Sequence, residues 1–277
     1  LVQELEPVNY GRAVAKRIEL RLLAGDRRGA VAAGIDGLRR LGMALPDGEQ
    51  PTAALELASI DLEEVRGLGT RRRIRDGGVK AILEVISALL AVTSMVDAAL
   101  HGYLVREHLR LLLAHGRHVT APLAAVQAAM MLAAAPGGRS RAEALAEVAR
   151  ALAAKEGPNC PRHRVEPGYW FIATWTRPFA EALTPLREAV TWAIEAGDLD
   201  SASNATLMQV SLVFAAGLHL RSLERSSNVA AHRMQQWQAG EQEIMARVFE
   251  RFAGLLLAGD PEAVEARLED PFDLAAL

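Results

Sequence analysis

The tripeptide Ala-Gly-Asp occurs three times, as Ala24-Gly25-Asp26, Ala196-Gly197-Asp198 and Ala258-Gly259-Asp260, and each copy follows an apolar run with helical spacing. Glycine can take the left-handed conformation that closes one helix, and the aspartate beside it can accept the free amides that open the next. The copies therefore read as hinges between antiparallel helices rather than as phosphate-binding turns or metal ligands, because the flanking periodicity already accounts for them. His115-Gly116 reads as a looser version. Several hinges in one chain imply stacked helical hairpins, although no strict repeat period accompanies them.

Composition agrees. Aromatic residues are only 5% of the 277, while alanine and leucine are abundant, a balance that favours close-packed helices over sheets. A net charge of −3 gives no general attraction to nucleic acid or to an anionic membrane. The single cysteine, Cys160, excludes an internal disulfide and fits a reducing, cytoplasmic setting. No signal peptide is visible, since residues 1–21 are rich in charge. Two stretches without Asp, Glu, Lys or Arg, His118–Gly138 and Ser201–Leu220, lack the continuous hydrophobicity of a membrane span and read as helices buried among helices. The chain begins with Leu1 rather than methionine, which suggests a piece of something longer.

Residues 8–24 carry Tyr10, Val14, Ile18 and Leu22 on one helical line, with Arg12, Lys16, Glu19 and Arg21 off it. Residues 27–41 repeat the pattern with Val31, Ile35 and Leu38. Residues 41–52 form a loop, broken by Pro46, Gly48 and Pro51. Further helices are expected near 52–66, 74–91, 95–115, 121–135, 141–156, 164–176, 185–196, 199–216, 219–238, 240–258 and 261–268. Ser140 and Glu143 have capping-box spacing, and Thr184-Pro185 and Asp260-Pro261 each place a capping side chain before a proline. The expected fold is all-α: stacked antiparallel hairpins in a right-handed, tetratricopeptide-like solenoid. One helical-repeat domain is expected over 1–277, with either 136–140 or 157–168 as the place where two sub-arrays would meet.

Residues 24–46, "AGDRRGAVAAGIDGLRRLGMALP", resemble the opening repeats of the tetratricopeptide-like region in large bacterial signalling proteins. Residues 183–220, in which a helix ending Glu-Ala-Gly-Asp precedes an alanine-rich helix, resemble a later repeat, and "LEDPFDLAAL" (268–277) is similar to the acidic segment that closes the region. Those proteins join a kinase-like domain, a signal-transduction ATPase and this helical region, often with GAF and histidine-kinase modules. The resemblance implies a regulatory, protein-interacting middle region that contains neither ATPase nor kinase. Its partner would be another protein or a neighbouring ATPase or kinase domain of the same polypeptide. "RGLGTRRRIRDGG" (66–78) and "PNCPRHRVEPGYW" (158–170) depart from the pattern.

No residue set carries a catalytic assignment. The glycine clusters at 67–70 and 136–140 lack the lysine and preceding strand of a P-loop. Cys160 with His163, and His115 with His118, lack a second ligand pair, so neither a metal nor a cofactor is expected. His101 and His108 lie seven apart and can share a helix face. Glu63 and Glu64 are adjacent and point in different directions on a helix. The strongest binding candidates are the aromatic residues Tyr169, Trp170, Phe171, Trp175 and Phe179, with Gln209 as a further polar contact. If one helix runs to Pro178, then Phe171, Trp175 and Phe179 form a stripe, which is either core or a groove for a peptide helix or small apolar ligand.

Arg71, Arg72, Arg73 and Arg75 form the densest basic run, which reads first as a solvated helix start or linker, and without interleaved aromatics it lacks the stacking platform of single-strand binders. Two rivals stand beside the interaction reading. One is an all-α enzyme or ligand-binding domain with a pocket near 101–118 and 160–179. The other is a nucleic-acid-binding repeat, against which the net charge argues. That rival requires Arg71–Arg75 to join other arginines in one continuous positive surface.

Overall fold

The computed structural model describes residues 6–46, 57–157 and 160–259. No strand lies among them, and twelve helices lie wholly within them: α1 (Pro7–Leu23), α2 (Arg27–Arg40), α3 (Leu62–Gly67), α4 (Gly77–Val96), α5 (Ala98–His115), α6 (Ala121–Ala134), α7 (Arg139–Lys155), α8 (Arg162–Ala173), α9 (Phe179–Ala196), α10 (Leu199–Ala215), α11 (Leu220–Gln236) and α12 (Gly240–Ala258). The chain is therefore all-helical, and it divides into two compact units, Leu1–Pro161 and Arg162–Leu277.

Two of the Ala-Gly-Asp hinges act as their chemistry dictates. Gly25 and Gly197 have φ of +73° and +71°. Asp26 then accepts the Gly29 amide at 2.8 Å, and Asp198 accepts the Ser201 amide at 3.0 Å, each capping the helix that follows. Gly259 is also left-handed. Asp260, Pro261 and the helix expected over 261–268 lie outside the described residues, as does most of the loop expected at 41–52.

Two expected helix starts are corrected. α7 begins at Arg139 with Gly138 as its N-cap, so Ser140 sits inside the first turn and no capping box forms. The turn over Pro136–Gly138, closed by the Gly138 amide on Ala135, delivers the chain into the helix early. α9 begins at Phe179, not at Pro185, and runs through the proline. Ala182, Leu186, Ala189, Val190 and Ala193 form one buried face across it, and that burial outweighs the amide bond proline cannot make.

In the first unit α1 and α2 both pack on α4, and α4, α5, α6 and α7 pack in sequence, with the short α3 on α7. Small residues permit this closeness: a Cβ at Gly11 of α1 would lie 2.7 Å from the Ala81 backbone of α4. α4 is long and apolar enough to cross a membrane by length and composition alone. Its apolar side is already core, with Leu83, Ile86 and Leu89 sealed from solvent.

In the second unit each helix packs on the next, and α8 and α12 also pack on α10. Val190, Ala193, Ala202 and Ala205 form one buried cluster, with Trp237 against it. Val210, Leu223, Ala230, Ala231, Met234, Ala246 and Ala253 form another, joined by Leu207, Val213 and Phe249.

Candidate functional site

The sequence places its aromatic candidates together in the chain, and the structure separates them. α8 ends at Ala173, so Phe171, Trp175 and Phe179 share no helix and the stripe does not form. Tyr169 and Trp170 are core residues, packed edge to face with centroids 5.2 Å apart. Trp175 lies beyond the helix end and is 65% exposed. Phe179 is half-buried at the first position of α9, and Gln209 is half-buried on α10. Pro178 fixes the break, since it caps α9 and the residue before a proline disfavours helix.

A different apolar surface lies at α10 and α12. Phe214 stands 5.6 Å from Phe252 and 5.7 Å from Phe249, ring centroid to centroid. Phe249 packs against the core, whereas Phe214 is 45% and Phe252 40% exposed. Met245, Val248, Phe252 and Leu256 follow one another on α12 at spacings of three and four, and all four are exposed. This stripe borders the buried face of the same helix, formed by Gln242, Ala246 and Ala253. α12 is thus apolar over a wider arc than its packing uses. That width is the signal the sequence carries for this face, weaker than the aromatic density at 169–179.

His163, Asp198 and Ser201 meet in the second unit. Asp198 Oδ2 lies 3.1 Å from His163 Nε2 and accepts the Ser201 hydroxyl at 2.7 Å. Burial pushes the Asp198 carboxyl up. The His163 hydrogen bond, the Arg164 charge and the Ser201 hydroxyl and amide outweigh it and hold the group well below the usual carboxylate range. The residue types are those of a hydrolytic triad, but the order is wrong. A nucleophile needs the imidazole at its own oxygen, and here the carboxylate stands between them. The arrangement is a helix cap tied to a neighbouring helix.

In the first unit the arginine run is held in place by its surroundings. The Arg117 amide donates to the Arg72 carbonyl at 2.9 Å, and the Ile74 amide donates to the Arg117 carbonyl at 3.1 Å. Between them lies Gly116, with φ +117°, where a Cβ would come within 2.5 Å of the Arg72 carbonyl oxygen. Glu156, whose side chain is 3% exposed, pairs with Arg73 at 3.3 Å and Arg117 at 3.2 Å. The Arg71 guanidinium donates to the Leu113 carbonyl, and Arg117 donates to the Gly69 carbonyl at 3.0 Å. Arg72 and Arg75 are exposed. The segment is a docked loop rather than a free linker.

The histidines next to it serve packing. Thr93 Oγ1 lies 2.9 Å from His101 Nδ1, and Thr120 Oγ1 lies 2.8 Å from His108 Nε2 and 3.0 Å from His118 Nδ1. Burial lowers His101 to about 4 against a weaker Gln127 hydrogen bond. Burial, helped by the charges of Lys80 and Arg73, lowers His118 to about 4 as well. Histidine side chains bonded to threonine hydroxyls satisfy polar atoms inside a helical core. Cys160 is buried, and among the described residues no three His, Cys, Asp or Glu side chains group as metal ligands would. Glu63 pairs with Arg66 on the same short helix.

Against known proteins the chain stands apart: no family model matches it, and neither a curated protein nor a solved structure does.

Proposed function

We propose that this chain is a non-enzymatic interaction region, built of stacked hairpins in the tetratricopeptide manner, that binds a helix of a partner protein on the apolar face of α10 and α12. The observation that carries this reading is the exposed set Phe214, Met245, Val248, Phe252 and Leu256, in which the Phe214 and Phe252 rings meet beside the buried cluster of the second unit. Five large side chains left 40–49% exposed amount to several hundred Å², about the size of patch that marks an interaction site. Their spacing of three and four on α12 suits a partner helix with the same periodicity. In the second unit, packing of each helix on the next, with α8 and α12 also on α10, supports the stacked-hairpin arrangement. A cytoplasmic bacterial signalling role, in which partner binding repositions a neighbouring ATPase or kinase domain, follows from the resemblance of residues 24–46 and 183–220.

A photo-crosslinking amino acid placed at position 252 of the full chain, in extract of the native cell, tests this. A discrete protein adduct that disappears when Phe214 is changed to Glu is the expected result. An adduct profile identical to that from an exposed polar position such as Gln235 would overturn the reading.

A further inference from the structure

The loop that follows α3 is a second surface, independent of the apolar face on the other unit. Residues 68–80, 115–118 and 155–156 carry Arg71, Arg72, Arg73, Arg75, Lys80, Arg117 and Lys155 against Asp76 and Glu156, seven positive charges to two negative. The fold brings these three segments together. Backbone hydrogen bonds join Arg72 and Ile74 to Arg117, and Glu156 bridges Arg73 and Arg117. A Cβ at Gly69 would lie 3.4 Å from Lys155 Nζ. The fields of Lys80 and Arg73 converge on His118, which they help to keep neutral. The fold thus gathers Arg117 and Lys155 beside the arginine run, in a chain whose net charge is −3.

The surface is also pre-shaped. Asp76 spends its carboxylate on the cap of α4 from an exposed position, and Glu156 is the buried bridge. Arg71 and Arg117 fix the loop through backbone carbonyls. Arg72 and Arg75 stand exposed, and the Arg73 side chain is 62% exposed despite its ion pair. Holding the loop backbone in place before binding lowers the ordering cost that a mobile basic tail would meet.

We infer that this surface binds the phosphate backbone of double-stranded nucleic acid, without reading base sequence. No aromatic residue lies in the three segments, so the stacking platform that single strands require is missing. None of the exposed large apolar side chains lies in them either, so there is nothing to enter a membrane or to seat the side chains of an acidic peptide. What remains is charge carried on a fixed backbone, the chemistry of phosphate recognition.

The test is fluorescence anisotropy of the full 277-residue chain with a labelled duplex, run beside poly-glutamate and anionic phospholipid vesicles. With about five phosphate contacts, affinity for the duplex falls on the order of 10²- to 10³-fold between about 50 and 200 mM salt. Arg72→Gln with Arg75→Gln removes two exposed charges, leaves the carbonyl of residue 72 in place, and lowers the salt slope by about two. Circular dichroism establishes that the helices persist, and Lys155→Gln provides a second variant outside the loop, expected to lower the slope by about one. Absence of duplex binding at low salt, an unchanged slope in both variants, or equal binding of poly-glutamate or vesicles would overturn the inference.

Discussion

Asp198 Oδ2 lies 3.1 Å from His163 Nε2, so one carboxylate both caps α10 and fastens it to α8. Removing it in Asp198→Ala loses the cap and leaves His163 without that partner, a cost of about 2 kcal/mol. Asparagine, itself a good cap, should recover roughly half of that loss. Because the folded carboxyl is held below its ordinary value of 3.8, its contribution is full above that pH and is lost as acidification continues beneath it. Thermal unfolding of the parent and both variants at neutral pH and near pH 3 measures each part; identical behaviour at the two pH values would remove the carboxylate's role.

The buried histidines act in a higher pH window. His101 and His118 are held near 4 in the fold and sit at 6.5 when free, so the unfolded chain takes up protons that the folded chain refuses. Their contribution is complete above pH 6.5 and declines as pH falls towards 4, by up to about 2 kcal/mol each at pH 5. Urea unfolding at pH 7.5 and pH 5 should show that loss, and His101→Gln should flatten it by about half. A pH-independent midpoint would contradict the assignment.

Gly116 and Gly25 separate two reasons for a glycine. At Gly25 the backbone is left-handed but a Cβ meets nothing within 4 Å, so Gly25→Ala should cost about 1 kcal/mol. At Gly116 the added carbon also strikes the Arg72 carbonyl, so Gly116→Ala should cost about 3 kcal/mol and loosen the arginine loop. Melting temperatures of the two variants give the comparison, and equal losses would mean that the close approach carries no weight.

Glu156 is the keystone of that loop. Glu156→Ala leaves Arg117 half-buried without its carboxylate and should destabilise the first unit by about 2 kcal/mol, less than for a fully buried pair because Arg73 reaches water. Hydrogen exchange at the amides of Ile74 and Arg117, which lie in the bridge between the two segments, should quicken in this variant. Protection equal to the parent's would remove Glu156 from that role.

Much of the helical layout was legible in the chain, because long amphipathic runs separated by glycine and aspartate signal helix ends directly. α12 was expected at 240–258 and is found there, and α1, α2, α6 and α10 end within a residue or two of their expected limits. The misses have physical causes. Asp97 caps α5 with no neighbouring glycine to flag it, and Asp76 caps α4 with its glycines, Gly77 and Gly78, after it rather than before. Pro185 looked like a helix start because proline is welcome in a first turn, yet the buried face across it prevailed. The surfaces were less legible. Tyr169 and Trp170 became core, while Phe214 and Phe252 meet only through the pairing of α10 with α12. Arg117, Glu156 and Lys155 belong with Arg71–Arg75 through contacts between residues distant in the chain, which local pattern does not carry.

The most direct measurement is the affinity of the crosslinked partner, once recovered, for three forms of the chain: the parent, Phe214→Glu with Phe252→Glu, and Trp175→Ala. Two charges at the centre of an apolar contact should weaken binding at least about 100-fold, since buried unpaired carboxylates at a hot spot cost several kcal/mol. Trp175→Ala should bind like the parent. Undiminished binding by the doubly charged form, or a loss confined to Trp175→Ala, would contradict the assignment of recognition to the face of α10 and α12.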